Sequence, residues 1–152
     1  MIQTIHKGSL EYLAAEGISV PHAFTTRFGG VSTDYLSSLN LAPTRGDDPE
    51  NVVKNYEILG DALGFDPKNA VLARQVHSDI VYRAEEKDRG AGLFAPRLPD
   101  CDALVTDVPG LALVVFSADC TPILAYDPVT GAVGAAHAQG VAQLERAPLA
   151  DG

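Results

Sequence analysis

A strong turn signal near the end of the chain constrains the fold more than any other feature of the sequence. The segment DPVTG separates two short apolar runs, residues 123–126 and 132–136. Asp127 is a favoured first residue of a turn, Pro128 fixes its own φ, and Gly131 tolerates a positive φ. Because apolar runs of this length on both sides of such a turn are typical of strands, the sequence predicts a β-hairpin.

This hairpin brings Cys120 and His137 into the same region of the sheet. If the loop contains four residues, Asp127 pairs with Ala132, and the two side chains lie on one face as diagonal neighbours, about 7–8 Å apart at the backbone. If the loop contains three residues, they lie on opposite faces. The turn alone leaves both registers open. Pro122 interrupts the ladder just after Cys120, so we expect the cysteine at a strand end.

The rest of the sequence predicts one clear helix and several short strands. Asp48 is a suitable N-cap, Pro49 suits the first helical position, and Gly64 ends a helical repeat of apolar residues. Periodicity indicates a second helix over residues 10–15. Runs rich in β-branched residues predict further strands over residues 70–76, 79–84, 103–106 and 111–117.

These elements together predict an α/β fold with mixed, largely antiparallel β-sheet layers and flanking helices. The prediction rests on strands that outnumber helices and that are joined in several places by short turns. The polar segment 85–100, which contains several Gly and Pro residues, is interpreted as a mobile loop over a site.

Composition limits the class of function. A chain of 152 residues with 46% hydrophobic residues predicts one globular domain. The formal net charge of −9 argues against a nucleic-acid partner, which needs clustered Lys and Arg. The N-terminus lacks the pattern of a signal peptide, and no apolar stretch approaches the roughly 18 residues of a membrane span. Two cysteines in such a chain suggest reduced thiols and a cytoplasmic location.

Three side chains in the sequence suit a metal ion. His77 follows a predicted strand, and with Cys120 and His137 it makes a Cys-plus-two-His set that suits Zn²⁺ and leaves a fourth position open. Spacing alone also allows a buried cysteine and two hydrogen-bonded interior histidines. A further alternative is a cysteine hydrolase, in which Cys120 is the nucleophile, a histidine is the base and Asp119 orients that base.

Several longer motifs occur in a fixed order along residues 20–138. They are HAFTTRFGGVS, SLNLA, GDDPENVVKNYEILGDALG, ARQVHSD, CDALVTDVPGLALVVFSADCTPILAYDP and GAVGAAHA. In these motifs the chain resembles the bacterial laccase-domain family, which is also known as the multicopper polyphenol oxidases and as purine nucleoside phosphorylases. The resemblance implies that His77, Cys120 and His137 bind one metal ion, generally zinc.

The resemblance also implies an activity. It predicts phosphorolysis of adenosine and inosine to the base and ribose 1-phosphate, with adenosine deamination as an added activity. Cys120, His77 and Arg27 take catalytic roles, and Arg27 contacts phosphate or substrate through its place in the TRxGG motif. Asn40, Gln75 and Asp119 are expected to support substrate or ligands. Copper is the alternative metal, and the partners are a purine nucleoside and phosphate.

After His137 the sequence departs from the family pattern. The family continues with A-G-W-R-G, whereas this chain reads AQGVAQLERAPLADG, so the Trp and Arg are absent. We therefore expect two regions: residues 1–138 as the N-terminal part of a laccase-like nucleoside phosphorylase domain, and residues 139–152 as a divergent tail. A shifted reading frame or truncated gene and a natural short paralogue are the two explanations. The fold would then be incomplete at the C-terminus. We expect the chain to be a monomer or homodimer, and an inactive metal-binding remnant is an alternative to the enzyme.

Overall fold

The computed structural model describes residues 1–138 of the chain. These residues form two compact units, Met1–Pro67 and the described part of Lys68–Gly152. The predicted tail, residues 139–152, lies outside the described residues. Within residues 1–138, no helix is both long and apolar enough to span a membrane.

The first unit begins with an antiparallel sheet of three strands, in the order β1-β2-β3. The strands are β1 (Ile2–Lys7), β2 (Leu10–Ala15) and β3 (Phe24–Thr25). The helix predicted over residues 10–15 is therefore wrong. Gly8, at φ 61°, starts a two-residue turn that pairs Lys7 with Leu10. Burial on β2 then follows a period of two, because Leu10 and Tyr12 are the buried positions.

The predicted helix is confirmed as α1 (Pro49–Leu63). The Asp48 carboxylate accepts a hydrogen bond from the Glu50 N–H at 2.9 Å, and Gly64 ends the helix at φ 80°. The apolar stripe of α1 also contains a polar residue that periodicity does not single out. Asn55 is fully buried beside Tyr56 on the inward face of the helix.

The Tyr56 hydroxyl has no hydrogen-bond partner within residues 1–138, and the side chain is fully buried, which raises the pKa of its phenol. A buried hydroxyl without a partner costs about 1–3 kcal/mol. Replacing Tyr56 by phenylalanine is therefore expected to raise the free energy of unfolding by about 0.5–1 kcal/mol. Urea denaturation measures this change.

The matched control is Tyr35→Phe. Tyr35 is 77% exposed and donates a hydrogen bond to the Arg45 carbonyl at 2.9 Å. Removing an exposed hydroxyl is expected to change the stability by less than about 0.5 kcal/mol. If Tyr56→Phe destabilises the protein by more than this control, the Tyr56 hydroxyl makes a favourable interaction after all.

Between residues 68 and 138, the second unit contains six strands in two sheets. The strands are β4 (Ala70–Leu72), β5 (Val81–Arg83), β6 (Ala103–Thr106), β7 (Ala112–Val114), β8 (Thr121–Tyr126) and β9 (Val133–Ala138). The first sheet pairs β4 with β7 in parallel, and the second has the order β5-β6-β9-β8. In the second sheet β5 and β6 are parallel, while β9 is antiparallel to both β6 and β8. The mixed, largely antiparallel α/β fold is therefore confirmed.

The segment 85–100 is a loop apart from one 3₁₀ turn, and part of it is buried. It begins with a 3₁₀ turn, Glu86–Asp88, whose start is closed by a capping box between Glu85 and Asp88. Ala91 and Leu98 are buried and belong to the core cluster of the second unit. These two residues anchor the segment in the core of the unit although its composition is mostly polar, whereas Phe94 is 47% exposed.

Candidate metal centre

The structure brings together the three side chains that the sequence singles out as metal ligands. Ligand atoms of His77, Cys120 and His137 all lie within 4.8 Å of one another. The two imidazole rings are 5.1 Å apart at their centroids, with an interplanar angle of 68°. His137 is buried, Cys120 is half-buried and His77 is exposed. The cluster therefore has a closed inner side and a side that a small ligand can reach.

The hairpin between β8 and β9 positions two of the three residues. The Asp127 N–H donates to the Ala132 carbonyl at 2.9 Å, so the loop contains four residues. This register pairs Pro122 with His137 and places Cys120 immediately before β8. Of the two registers that the turn signal allows, the structure has the one that puts Cys120 and His137 on the same face.

The third residue, His77, lies in a turn that follows β4. Two contacts of Gln75 anchor this turn: its side chain donates to the Phe116 carbonyl at 2.7 Å and accepts from the Phe116 N–H at 2.6 Å. The Gln75 amide thus pairs with the backbone as a strand residue would. His77 itself has a φ of 61°, a left-handed conformation that residues other than glycine seldom adopt. Such conformations cluster at functional sites.

A buried carboxylate that the sequence analysis did not select connects the histidines. Asp102 is 2% exposed, and its Oδ1 lies 3.0 Å from Nδ1 of His137. Burial alone would raise the pKa of Asp102, but hydrogen bonds from Ser78, His137 and Val76 hold that pKa well below its ordinary value. In the sequence, the only feature that indicates a role for Asp102 is its position immediately before the short apolar strand β6.

The donor set fits a zinc ion. Thiolate and imidazole are the ligands zinc prefers, and three protein ligands leave one position for water or substrate. Tetrahedral zinc with bonds of about 2.0–2.3 Å needs its ligand atoms roughly 3.5 Å apart. Three ligand atoms within 4.8 Å of one another reach that spacing through small side-chain movements. A carboxylate on the far nitrogen of one histidine is also a usual feature of zinc sites.

Two of the other predicted site residues make hydrogen bonds within the first unit, and a third is exposed. Arg27 and Asn40 belong to the first unit: the Arg27 guanidinium donates to the Ser37 carbonyl at 2.7 and 3.0 Å, and the Asn40 amide donates to Asp47 at 3.0 Å. Asp119 is exposed. The carboxylate that bonds His137 is that of Asp102 and not that of Asp119.

Comparison with known proteins identifies the family. Residues 21–143 match the family model described as multi-copper polyphenol oxidoreductase laccase. A purine nucleoside phosphorylase of Deinococcus radiodurans is 44% identical over 129 residues, which cover 85% of this chain and 47% of that protein. A purine nucleoside phosphorylase of Streptomyces griseus is 46% identical over 120 residues, which cover 79% of this chain and 47% of that protein.

Solved structures show the same likeness. The crystal structure of YlmD from Geobacillus stearothermophilus is 34% identical with a TM-score of 0.80, covering 90% of this chain and 52% of that one. A hypothetical protein, YfiH, from Bacillus licheniformis is 36% identical with a TM-score of 0.78, covering 87% and 50%. The chain thus spans about half the length of the relatives it matches. Sequence and fold agree over most of the chain, and it therefore belongs to the multi-copper polyphenol oxidoreductase laccase family.

Proposed function

We propose that this chain is part of a zinc-dependent purine nucleoside phosphorylase. The reaction is the attack of phosphate on a purine nucleoside such as inosine or adenosine, which releases the base and forms ribose 1-phosphate. One observation carries the proposal: the His77, Cys120 and His137 cluster lies in a chain similar to proteins named purine nucleoside phosphorylase. Because the chain spans about half of those proteins, the activity of the whole enzyme is part of the proposal.

The chemistry of phosphorolysis agrees with such a site. The ribosyl carbon gains positive charge as the base departs, so the protein has to hold phosphate close to that carbon and stabilise the leaving base. A zinc ion held there would act as a Lewis acid and, for the deamination of adenosine, would activate a water molecule. His77, Cys120 and His137 would hold that ion, and Gln75 would fix the turn that carries His77.

Arg27 is proposed to bind phosphate or substrate. An arginine carries five N–H donors in a planar fork that matches phosphate oxygens. Two hydrogen bonds from its guanidinium reach the Ser37 carbonyl, which orients the side chain, and the residue is exposed. Asn40 is proposed to support this region, since its side chain bonds both the Ala42 backbone and the Asp47 carboxylate. The roles of Arg27 and Asn40 rest on their motifs.

A second candidate is a cysteine hydrolase. The observation that favours it is the contact between His137 and Asp102, because a histidine oriented by a carboxylate and lying near a cysteine is also the arrangement of a catalytic triad. In this alternative Cys120 is the nucleophile and Asp102 takes the orienting role considered for Asp119. A multicopper oxidase agrees less well with the structure, because such an enzyme needs more than one metal cluster. Within residues 1–138 the structure has one cluster of three metal-binding side chains.

The proposed setting is the cytoplasm, where thiols stay reduced. A purine nucleoside and phosphate are the proposed partners, and the proposed assembly is a monomer or homodimer. Copper remains the alternative ion, because thiolate and imidazole also bind it.

The purified chain is expected to contain about one zinc per polypeptide and to convert inosine and phosphate to hypoxanthine and ribose 1-phosphate. Elemental mass spectrometry measures the metal, and chromatography measures both products, with phosphate omitted as the control. Arg27→Lys is the matched variant. It keeps the charge but loses the planar fork, so phosphate use should fall while the zinc content stays constant.

Three outcomes separate the candidate functions. Base and ribose 1-phosphate that form only with phosphate support the phosphorylase. Zinc without turnover means that this chain alone lacks the activity and is a metal-binding part of the enzyme. Absence of metal from protein supplied with zinc contradicts the proposal and favours the hydrolase.

A further inference from the structure

The Asp102 carboxylate gathers donors from both segments that carry the candidate histidine ligands. Oδ2 accepts from the Val76 N–H at 3.1 Å and from the Ser78 N–H and hydroxyl, each at 2.8 Å. Oδ1 accepts from the His77 N–H at 3.0 Å and lies 3.0 Å from Nδ1 of His137. Its side chain is 3% exposed, so water does not compete for these bonds.

The first effect of these bonds is on the backbone of His77. Three successive N–H groups, those of Val76, His77 and Ser78, converge on the one carboxylate. A left-handed residue that is not glycine costs about 1–2 kcal/mol, so its conformation has to be held by its surroundings. The three hydrogen bonds to the carboxylate are such a restraint, because they fix the direction of the N–H groups of His77 and of the residues on both sides of it.

The second effect is on the tautomer of His137. Both carboxylate oxygens of Asp102 already accept N–H groups, so the His137 Nδ1 has to donate its hydrogen to Oδ1. In a neutral imidazole with Nδ1 protonated, Nε2 carries the free lone pair. The backbone adds a further restraint, since the His137 N–H donates to the Asp102 carbonyl at 2.7 Å.

We propose that Asp102 is the positioning residue of the metal centre, which fixes the turn of His77 and the metal-binding tautomer of His137 at the same time. This inference rests on the metal site of the proposed function. Asp102 acts through the two histidines, and one carboxylate thereby sets the direction of two ligands that lie 60 residues apart in the sequence.

The variant that separates this role from packing is Asp102→Asn. Asparagine has the same shape but only one acceptor oxygen, and the three donors at Oδ2 favour placing that oxygen there. The amide NH₂ then replaces Oδ1: it faces His137 and donates to Nδ1, and the His77 N–H loses its acceptor. The proton of His137 moves to Nε2, and the lone pair that would bind metal is lost.

Asp102→Asn is therefore expected to weaken zinc binding about 10- to 100-fold, as the loss of partners behind metal-bound histidines does. Competition with a chromophoric chelator measures the affinity. In the metal-free proteins, ¹⁵N chemical shifts of the imidazole report the tautomer. His137 is expected to be protonated at Nδ1 in the wild type and at Nε2 in Asp102→Asn, a change that lost stability alone does not produce.

The matched control is Asp88→Asn. Asp88 is also buried, at 8% exposure, and accepts from the Glu85 N–H at 2.8 Å and from the Tyr82 hydroxyl at 3.2 Å. It bonds neither histidine in the part of the chain that the structure describes. Its replacement is expected to reduce stability while leaving the zinc affinity and the tautomer of His137 unchanged.

The outcomes separate this inference from the proposed function. Wild-type protein that takes up no zinc contradicts the proposed function. Wild-type protein that binds zinc while Asp102→Asn binds it equally well contradicts only the role of Asp102. If Asp102→Asn does not fold, the wild-type spectrum still decides: a metal-free His137 protonated at Nε2 overturns the inference.

Discussion

Replacing Cys120 by alanine is expected to weaken zinc binding a hundredfold or more and to abolish any phosphorolysis that depends on the metal. Four-ligand structural sites bind zinc with about 10–16 kcal/mol, so each ligand supplies roughly 3 kcal/mol, and about 1.4 kcal/mol corresponds to a factor of ten. Cys120 is one of the three proposed ligands and would be the only anionic one, so its loss should exceed the effect of Asp102→Asn. Elemental analysis and chelator competition measure this loss.

The chain offers its own control for Cys120. Cys101 is the only other cysteine, it is fully buried, and burial raises the pKa of its thiol, which makes that sulfur unreactive. Cys101→Ala is expected to retain one zinc per chain, although it costs stability by leaving a cavity in the core. Equal zinc affinities of the Cys120→Ala variant and the wild type would exclude Cys120 as a ligand.

The same pair of cysteines tests the hydrolase alternative. If Cys120 binds zinc, the metal should slow its alkylation by iodoacetamide, and removal of zinc by a chelator should restore the reaction. If Cys120 is instead a nucleophile, the metal-free protein should hydrolyse a thioester or amide substrate, and alkylation should stop that hydrolysis. The buried Cys101 should react slowly in both cases.

Local sequence signals predicted the elements whose ends are marked by specific residues. The helix α1 has a capping aspartate, a proline at its first position and a glycine in the left-handed conformation at its end, and each of these acts within a few residues. Strand β2 carries no such marks. Leu10, Tyr12 and Leu13 fit a helical repeat almost as well as an alternating one, and only pairing with β1 decides between them.

The candidate site was predictable where a strand end carries an unusual side chain. Cys120 immediately precedes β8, whereas β4 ends five residues before His77, earlier than the strand predicted over residues 70–76. The length of the turn after Asp127 sets the face on which His137 lies. Asp102 was not predictable in this way, because the role proposed for it depends on backbone N–H groups that lie 24 to 26 residues away in sequence. Their convergence depends on the left-handed conformation of His77, which the residue type at this position does not predict.

A buried amide in the first unit is expected to have the largest effect on folding. The Asn55 Oδ1 accepts from the Val31 N–H at 2.8 Å, and its Nδ2 donates to the Ser32 hydroxyl at 2.9 Å and to the Asn40 carbonyl at 2.8 Å. With a longer contact of 3.4 Å to the Ser38 carbonyl, this one side chain thus bonds four groups of the segment that follows Arg27. Asn55→Ala is expected to reduce the free energy of unfolding by about 3–4 kcal/mol, since it leaves several buried polar groups without partners.

Two further variants show whether hydrogen bonding or volume causes this loss. Asn55→Asp keeps the shape and the acceptor for Val31 but replaces the donor that faces the Asn40 carbonyl, so we expect a loss close to that of Asn55→Ala. Asn51→Ala, on the same helix, removes one hydrogen bond to Asp47 from a half-buried position and should cost less than about 1 kcal/mol. Guanidinium denaturation measures all three. A stable Asn55→Asp protein would mean that the amide fills space and does not organise the segment, and Arg27 would then owe its position to the Ser37 contact alone.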